Sequence, residues 1–184
     1  MATNQLLINR VIDRSVTKDL ALISAGVALL LATAQLQIPF YPVPLTMQTL
    51  AVLLLAAGLG PVRGSLSVLG YLSLGAAGLP VFAGYKNLLL ATTTWGYLLG
   101  FLVAAVVVGA IATHWRLASW WRVATAFAIG SVLIYLFGIA GLMFTLGLSA
   151  GEAVGVGVIP FLLGDVVKAA LAAALLPLAW KFAR

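Results

Sequence analysis

The chain contains no cysteine, so disulfide frameworks, thiolate metal sites and cysteine nucleophiles are excluded. It has one histidine, His114, beside Trp115 in a basic stretch where interfacial anchoring is the natural role. A Ser–His or His–metal enzyme would need it among other polar groups inside the fold. Neither G-x-x-x-x-G-K-[ST] nor H-E-x-x-H occurs, so no phosphate-cradling loop and no zinc-protease helix is encoded. Charge is scarce, at 8% of residues, and acid scarcer still, with four Asp and Glu against ten Lys and Arg. The basic residues are scattered singly, which argues against nucleic acid as the partner of the net charge of +6.

What is present is apolar. Hydrophobic residues make up 64% of the 184 positions, and the mean hydropathy is +1.18. A soluble domain is about 45–50% apolar and about 25% charged. The solvent for this chain is therefore membrane lipid, and the expected class is an all-α integral membrane protein forming a single transmembrane domain over 1–184. The polar N-terminal stretch carries no apolar core followed by a small-residue cleavage site, so it does not read as a signal peptide. Residues 1–19 read as a short amphipathic lead-in with Leu6, Leu7, Val11 and Ile12 on its apolar side.

From Asp19 to Arg63 the chain is uncharged, but PFYPVP at 39–44 interrupts it, and proline does not sit in a helix interior. Two spans are expected there, near 20–36 and 44–60. Pro61 and Arg63 mark a turn, and further spans are expected near 63–79, 94–113, 123–147 and 158–180, six in all. GLSAGEAVGVGV at 147–158 reads as a Gly-rich connection. With six spans, Arg10, Arg14, Lys18, Arg63, Arg116, Arg122, Lys181 and Arg184 all fall on one side, leaving only Lys86 and Glu152 on the other. That asymmetry predicts cytoplasmic termini.

Lys168 remains, inside the last span with Asp165 three residues before it in FLLGDVVK. A charge at the bilayer centre costs about 2.5–3.5 kcal/mol. The i, i+3 spacing puts both groups on one helix face. At about 1.5 Å per residue they lie about 7 and 12 Å below the outer surface. Two readings stand: the polar floor of an outward-facing pocket, or a buried ion pair that fixes helix packing. Other polar and aromatic groups gather at the same outer side. QLQIPFYPVPLTMQ, 35–48, is stiff, uncharged and apolar enough to act as a lid. It offers Tyr41, Thr46 and Gln48. The next outer connection offers Tyr85, Lys86 and Asn87, followed by Trp95. Rings with a few placed polar groups are what small-molecule recognition uses. In the first span, Ala21, Ala25, Ala28 and Ala32 form a small-residue stripe, suited to internal packing or to docking another membrane protein.

These residues resemble a known family. PVPLTMQTLAVLLLAAGLGPVRGSLSVLGYLSLGAAGLPVFAG at 42–84, WGYLLGF at 95–101 and IPFLLGDVVKAALAA at 159–173 are similar to the BioY family, the biotin-binding S-components of energy-coupling-factor (ECF) vitamin transporters. The most specific pieces are P-x-P-x-T-x-Q at 42–48 and G-D-x-x-K at 164–168. The resemblance implies an S-component-like bundle without cofactor or metal, in the cell membrane. The expected biotin-binding residues are Asp165, Lys168, Asn87, Tyr85, Gln48, Thr46, Tyr41 and Trp95. The resemblance also implies docking through Ala21, Ala25, Ala28 and Ala32 on a transmembrane coupling protein that works with two cytoplasmic ATPases. The family's P-T-G-G-Y is here TTWGY, with Thr93 at the proline position and Trp95 at a glycine position. Biotin suits these residues chemically: its ureido N–H groups match Asp165, its ureido oxygen or carboxylate matches Lys168, and Tyr41, Tyr85 and Trp95 can cover its apolar ring. The alternatives are an S-component for another small vitamin, a stand-alone carrier working as a homo-oligomer, and an enzyme acting on a lipid or vitamin.

Overall fold

A computed structural model describes residues 6–11 and 15–182, so Ile12, Arg14 and Arg184 lie outside the described residues, as does part of the expected lead-in. The elements are α1 (Ile8–Val11), α2 (Val16–Gln35), β1 (Gln37–Ile38), β2 (Leu45–Thr46), α3 (Gln48–Ala76), α4 (Trp95–His114), α5 (Trp120–Leu146), α6 (Ala150–Gly157) and α7 (Ile159–Phe182). Five of these helices, α2, α3, α4, α5 and α7, are long and apolar enough to cross a membrane. The protein is a multi-pass membrane protein with an all-α bundle.

The longest apolar helix, α3, is two passes. Gly60 has φ 86° and ψ −177°, outside helical space, and Pro61 follows it. Only glycine adopts that φ without strain, and proline is well suited to the first position of the arm that follows. The chain reverses there. Gln48 Nε2 lies 2.7 Å from Tyr71 Oη. In a straight helix those residues would be about 35 Å apart. Arms 48–59 and 61–76 therefore pack side by side, and a Cβ at Gly64 would sit 3.0 Å from Ala56 Cα. The bundle then has six transmembrane helices, and an even count puts Val16 and Phe182 at one end.

The helix ends differ from the expected ones where polar residues extend a helix beyond its apolar part. α2 starts at Val16, after extended Ser15, and includes charged Lys18 and Asp19 in its first turn. The expected Gly-rich connection contains α6. Its start is a capping box: Ser149 Oγ accepts from Glu152 N, and the Glu152 carboxylate accepts from Ser149 N at 2.9 Å. Ser149 Oγ also donates to the Glu152 carboxylate at 2.7 Å, and this bond together with that from Ser149 N holds the carboxyl below its ordinary range. The S-x-x-E pattern announces such a helix start.

Small residues set the helix spacing. A Cβ at Gly96 would lie 2.4 Å from Phe137 O, and one at Gly100 would lie 2.9 Å from Ile134 Cα. These positions bring α4 and α5 into backbone contact, the close approach that small residues allow in lipid. Gly26 lets α2 meet α3 at Ser67. The other side of α2 is open, with Ala21, Ala25, Ala28 and Ala32 all exposed. Arg63, expected to mark the turn between two spans, is buried there. Its guanidinium pairs with Asp19 Oδ1 at 2.6 Å and donates to Asn9 Oδ1 at 3.0 Å. It thereby ties α1, α2 and α3 together at the termini end.

Candidate ligand-binding site

At the opposite end the helices open around a cavity of about 550 Å³, counting its mouth. Its walls come from the starts of α3 and α4, the middle of α5 and the first half of α7. Phe82 and Ala83 border it from the α3–α4 connection, and Val43, Pro44 and Thr46 from the α2–α3 connection.

The polar side is a relay. Lys168 lines the cavity. Its Nζ donates to Thr49 Oγ1 at 2.8 Å and to Asp165 Oδ1 at 3.1 Å. Tyr135 Oη donates to the other carboxylate oxygen at 2.5 Å. Both charged side chains are largely buried, at 12% and 13% exposure. A charge so placed must be paired and hydrogen-bonded, and each of these is. Gln48 adds an amide to the wall, one N–H of which is committed to Tyr71 Oη. Tyr71 in turn donates to Val81 O at 3.4 Å.

The apolar side is aromatic. Tyr97 and Phe161 ring centroids are 6.4 Å apart, and Tyr135 and Phe161 are 6.5 Å apart. The Tyr97 side chain fits a slot that exists because positions 138 and 157 are glycine; a Cβ at 138 would lie 2.3 Å from its ring, and one at 157 would lie 2.4 Å from its hydroxyl. Its hydroxyl donates to Gly157 O at 2.8 Å. Phe82 is held edge-on to Tyr71 at 5.2 Å.

The cover is two connections stitched together. β1 pairs with β2, Gln37 opposite Thr46 and Ile38 opposite Leu45, to close the α2–α3 connection on itself. Thr93 Oγ1 donates to Pro42 O at 2.7 Å, and Gln35 Nε2 donates to Phe82 O at 3.1 Å. The first bond joins the two connections, and the second ties the end of α2 to the α3–α4 connection.

Of the eight residues expected at the site, Lys168, Gln48 and Thr46 line the cavity. Asp165 lies behind Lys168 and borders a lateral groove between α5 and α7 instead. The other four stand outside. Tyr41 is 80% exposed and Tyr85 71% exposed, because both sit on outer connections rather than beneath them. Asn87 shapes its own turn, donating to Gly78 O at 3.2 Å and accepting from Leu90 N at 3.2 Å. Trp95 Nε1 donates to Thr145 Oγ1 at 2.8 Å. Two helix positions do not face the same way, so it is Tyr97 rather than Trp95 that reaches the cavity. Sequence reading missed Thr49, Tyr135 and Phe161, and it placed Tyr97 beside Trp95 at the outer end of its span without counting it in the site. The available signals were a threonine next to Gln48 and a phenol in the middle of an apolar span.

The comparisons with known proteins agree with this architecture. The family model for the BioY family matches residues 3–184. This chain belongs to the BioY family. Among curated BioY relatives, the biotin transporter BioY of Thermotoga maritima is 38% identical over 156 residues, covering 83% of this chain and 90% of the relative. The probable biotin transporter BioY of Pyrococcus horikoshii is 36% identical over 157 residues, covering 84% and 91%. A solved S-component for biotin from an ECF-type ABC transporter superposes with a TM-score of 0.80 at 22% identity, covering 90% of this chain and 92% of that one. The BioY chain described here thus has the S-component fold.

Proposed function

We propose that this chain captures biotin from outside the cell as the substrate-binding subunit of an ECF-type importer. The observation that carries the reading is the cavity: an aromatic box with one cationic side chain, Lys168, fixed at its polar edge by Asp165 and Thr49. Biotin has matching parts, an apolar fused ring, a ureido group and a carboxylate. Tyr97, Phe161 and Phe82 would cover the ring. Lys168 would donate to the ureido oxygen or the carboxylate. Asp165 would hold Lys168 charged and oriented, and would accept a ureido N–H where the ligand reaches it. Gln48 and Thr46 would supply further polar contacts. Tyr41, Tyr85, Asn87 and Trp95 are reassigned to the cover and its anchors. The names of the relatives support biotin over other vitamins.

The partner half of the proposal rests on α2. Its alanine stripe faces out of the bundle, which supports docking on a transmembrane coupling protein over internal packing. Two cytoplasmic ATPases would supply the energy for which this chain has no motif. The one-sided distribution of Arg and Lys supports cytoplasmic termini. Calorimetry of the purified protein against biotin, thiamin and riboflavin tests the ligand. The proposal expects saturable binding of biotin at one site per chain and none of the others; tighter binding of thiamin or riboflavin would overturn it.

A further inference from the structure

We infer that Arg116 and Arg122 form a binding site for the phosphate headgroup of an anionic phospholipid at the termini end of the bundle. Arg116 lies in the α4–α5 connection and Arg122 in the first turn of α5, and both guanidiniums are stacked. Arg116 lies 4.7 Å from the centroid of a Trp180 ring, and Arg122 lies 5.1 Å from that of Trp121. Arg122 Nη1 donates to Arg116 O at 3.3 Å, which brings the two residues together. Stacking covers the flat face of a guanidinium and leaves its N–H edge, the part that grips a phosphate in a forked pair.

No protein anion answers these two cations among the described residues. Of the carboxylates there, Asp19 is paired with Arg63, Asp165 with Lys168, and Glu152 caps α6 beyond the other end. Arg116 Nε is buried by the protein itself, so the edge that this guanidinium offers to a headgroup is its Nη pair. The first turn of α5 adds to the positive field, since Ser119 makes no side-chain cap and leaves the amide N–H groups there unanswered by it. Lys181, in the last turn of α7 next to Trp180, adds a third cation nearby in sequence.

The surroundings select a lipid over a free ion. Trp120 is 69% exposed, Trp121 48% and Trp115 43%, between the ends of two membrane-crossing helices. Exposed tryptophans at that level sit in the headgroup layer, where basic side chains at the membrane surface attract anionic headgroups. The site is separate from the cavity and does not depend on the biotin reading.

Native mass spectrometry of the detergent-solubilised chain, titrated with phosphatidylglycerol or phosphatidylcholine, tests it. Wild type is expected to retain one phosphatidylglycerol per chain, with roughly tenfold preference over phosphatidylcholine. Arg116→Gln/Arg122→Gln is expected to lose that preference. Arg116→Lys/Arg122→Lys, which keeps charge but not the fork, is expected to fall between. A thermal melt in added inorganic phosphate separates the sources: the lipid site expects stabilisation by phosphatidylglycerol and not by phosphate. Equal retention of both lipids by wild type, full retention by the Gln double variant, or equal stabilisation by phosphate would overturn the assignment. The wild-type comparison decides even where the double variant does not fold.

Discussion

Lys168 Nζ lies 3.1 Å from Asp165 Oδ1, and of the two residues only Lys168 lines the cavity. This asymmetry makes a double-mutant prediction. Removing one partner of a buried pair leaves the other charge uncompensated, which costs about 3–5 kcal/mol, whereas removing both costs less. Asp165→Ala and Lys168→Ala should each destabilise the fold more than half of what the double variant does, so the effects are non-additive. Each single variant should also weaken biotin binding by about tenfold or more, the value of a lost charge-assisted hydrogen bond. Thermal unfolding and calorimetry on the four proteins of the cycle measure both. Strict additivity would show that the pair does not act as a unit.

The bond from Thr93 to Pro42 joins the two halves of the cover. Thr93→Val keeps the shape and deletes the bond. A net hydrogen bond is worth about 0.5–1.5 kcal/mol, so biotin dissociation should speed up roughly two- to tenfold, while Thr93→Ser keeps the wild-type rate. Stopped-flow release of ligand reads this directly. An unchanged rate in Thr93→Val would mean that the cover opens elsewhere.

The open face of α2 makes a prediction about partners. Tryptophan at Ala25 and Ala28 would add bulk where the bundle needs none, since both are exposed. Biotin binding by the purified variant should be intact and biotin uptake by cells abolished. Loss of binding instead would assign the stripe to packing within the bundle.

Gly109 meets backbone, not a movable side chain. A Cβ there would lie 2.5 Å from Pro61 Cα and N, at the turn that makes α3 two passes. Overpacking costs about 1–3 kcal/mol where neighbours can adjust, and a turn backbone adjusts poorly. Gly109→Ala should lower the midpoint of thermal unfolding and lose more than Gly151→Ala, where a Cβ meets nothing within 4 Å. Equal midpoints would contradict this account of the α3 turn.

The number of passes was legible because prolines and single charges punctuate the hydrophobic runs, and Gly60–Pro61 is a visible break. Asp165 and Lys168 were legible because two charges in an apolar span demand an explanation. The aromatic wall was not. Every membrane helix here is apolar all round, so no hydrophobic period says which side faces lipid and which the cavity. Tyr97 and Phe161 look like any ring in lipid until their neighbours are known. Tyr41 and Tyr85 misled for the reverse reason: rings on outer connections suggest a pocket, but these stand on its outside. Arg63 showed nothing of its burial, because its partners Asp19 and Asn9 arrive from other elements.

The central claim is that the cavity holds biotin. It is tested most directly by mass spectrometry of the small molecule that copurifies with the protein from cells grown in biotin-containing medium. The account predicts unmodified biotin, one per chain in wild type and lost in Lys168→Ala. A different molecule in the cavity, a modified biotin, or biotin retained in full by Lys168→Ala would contradict it.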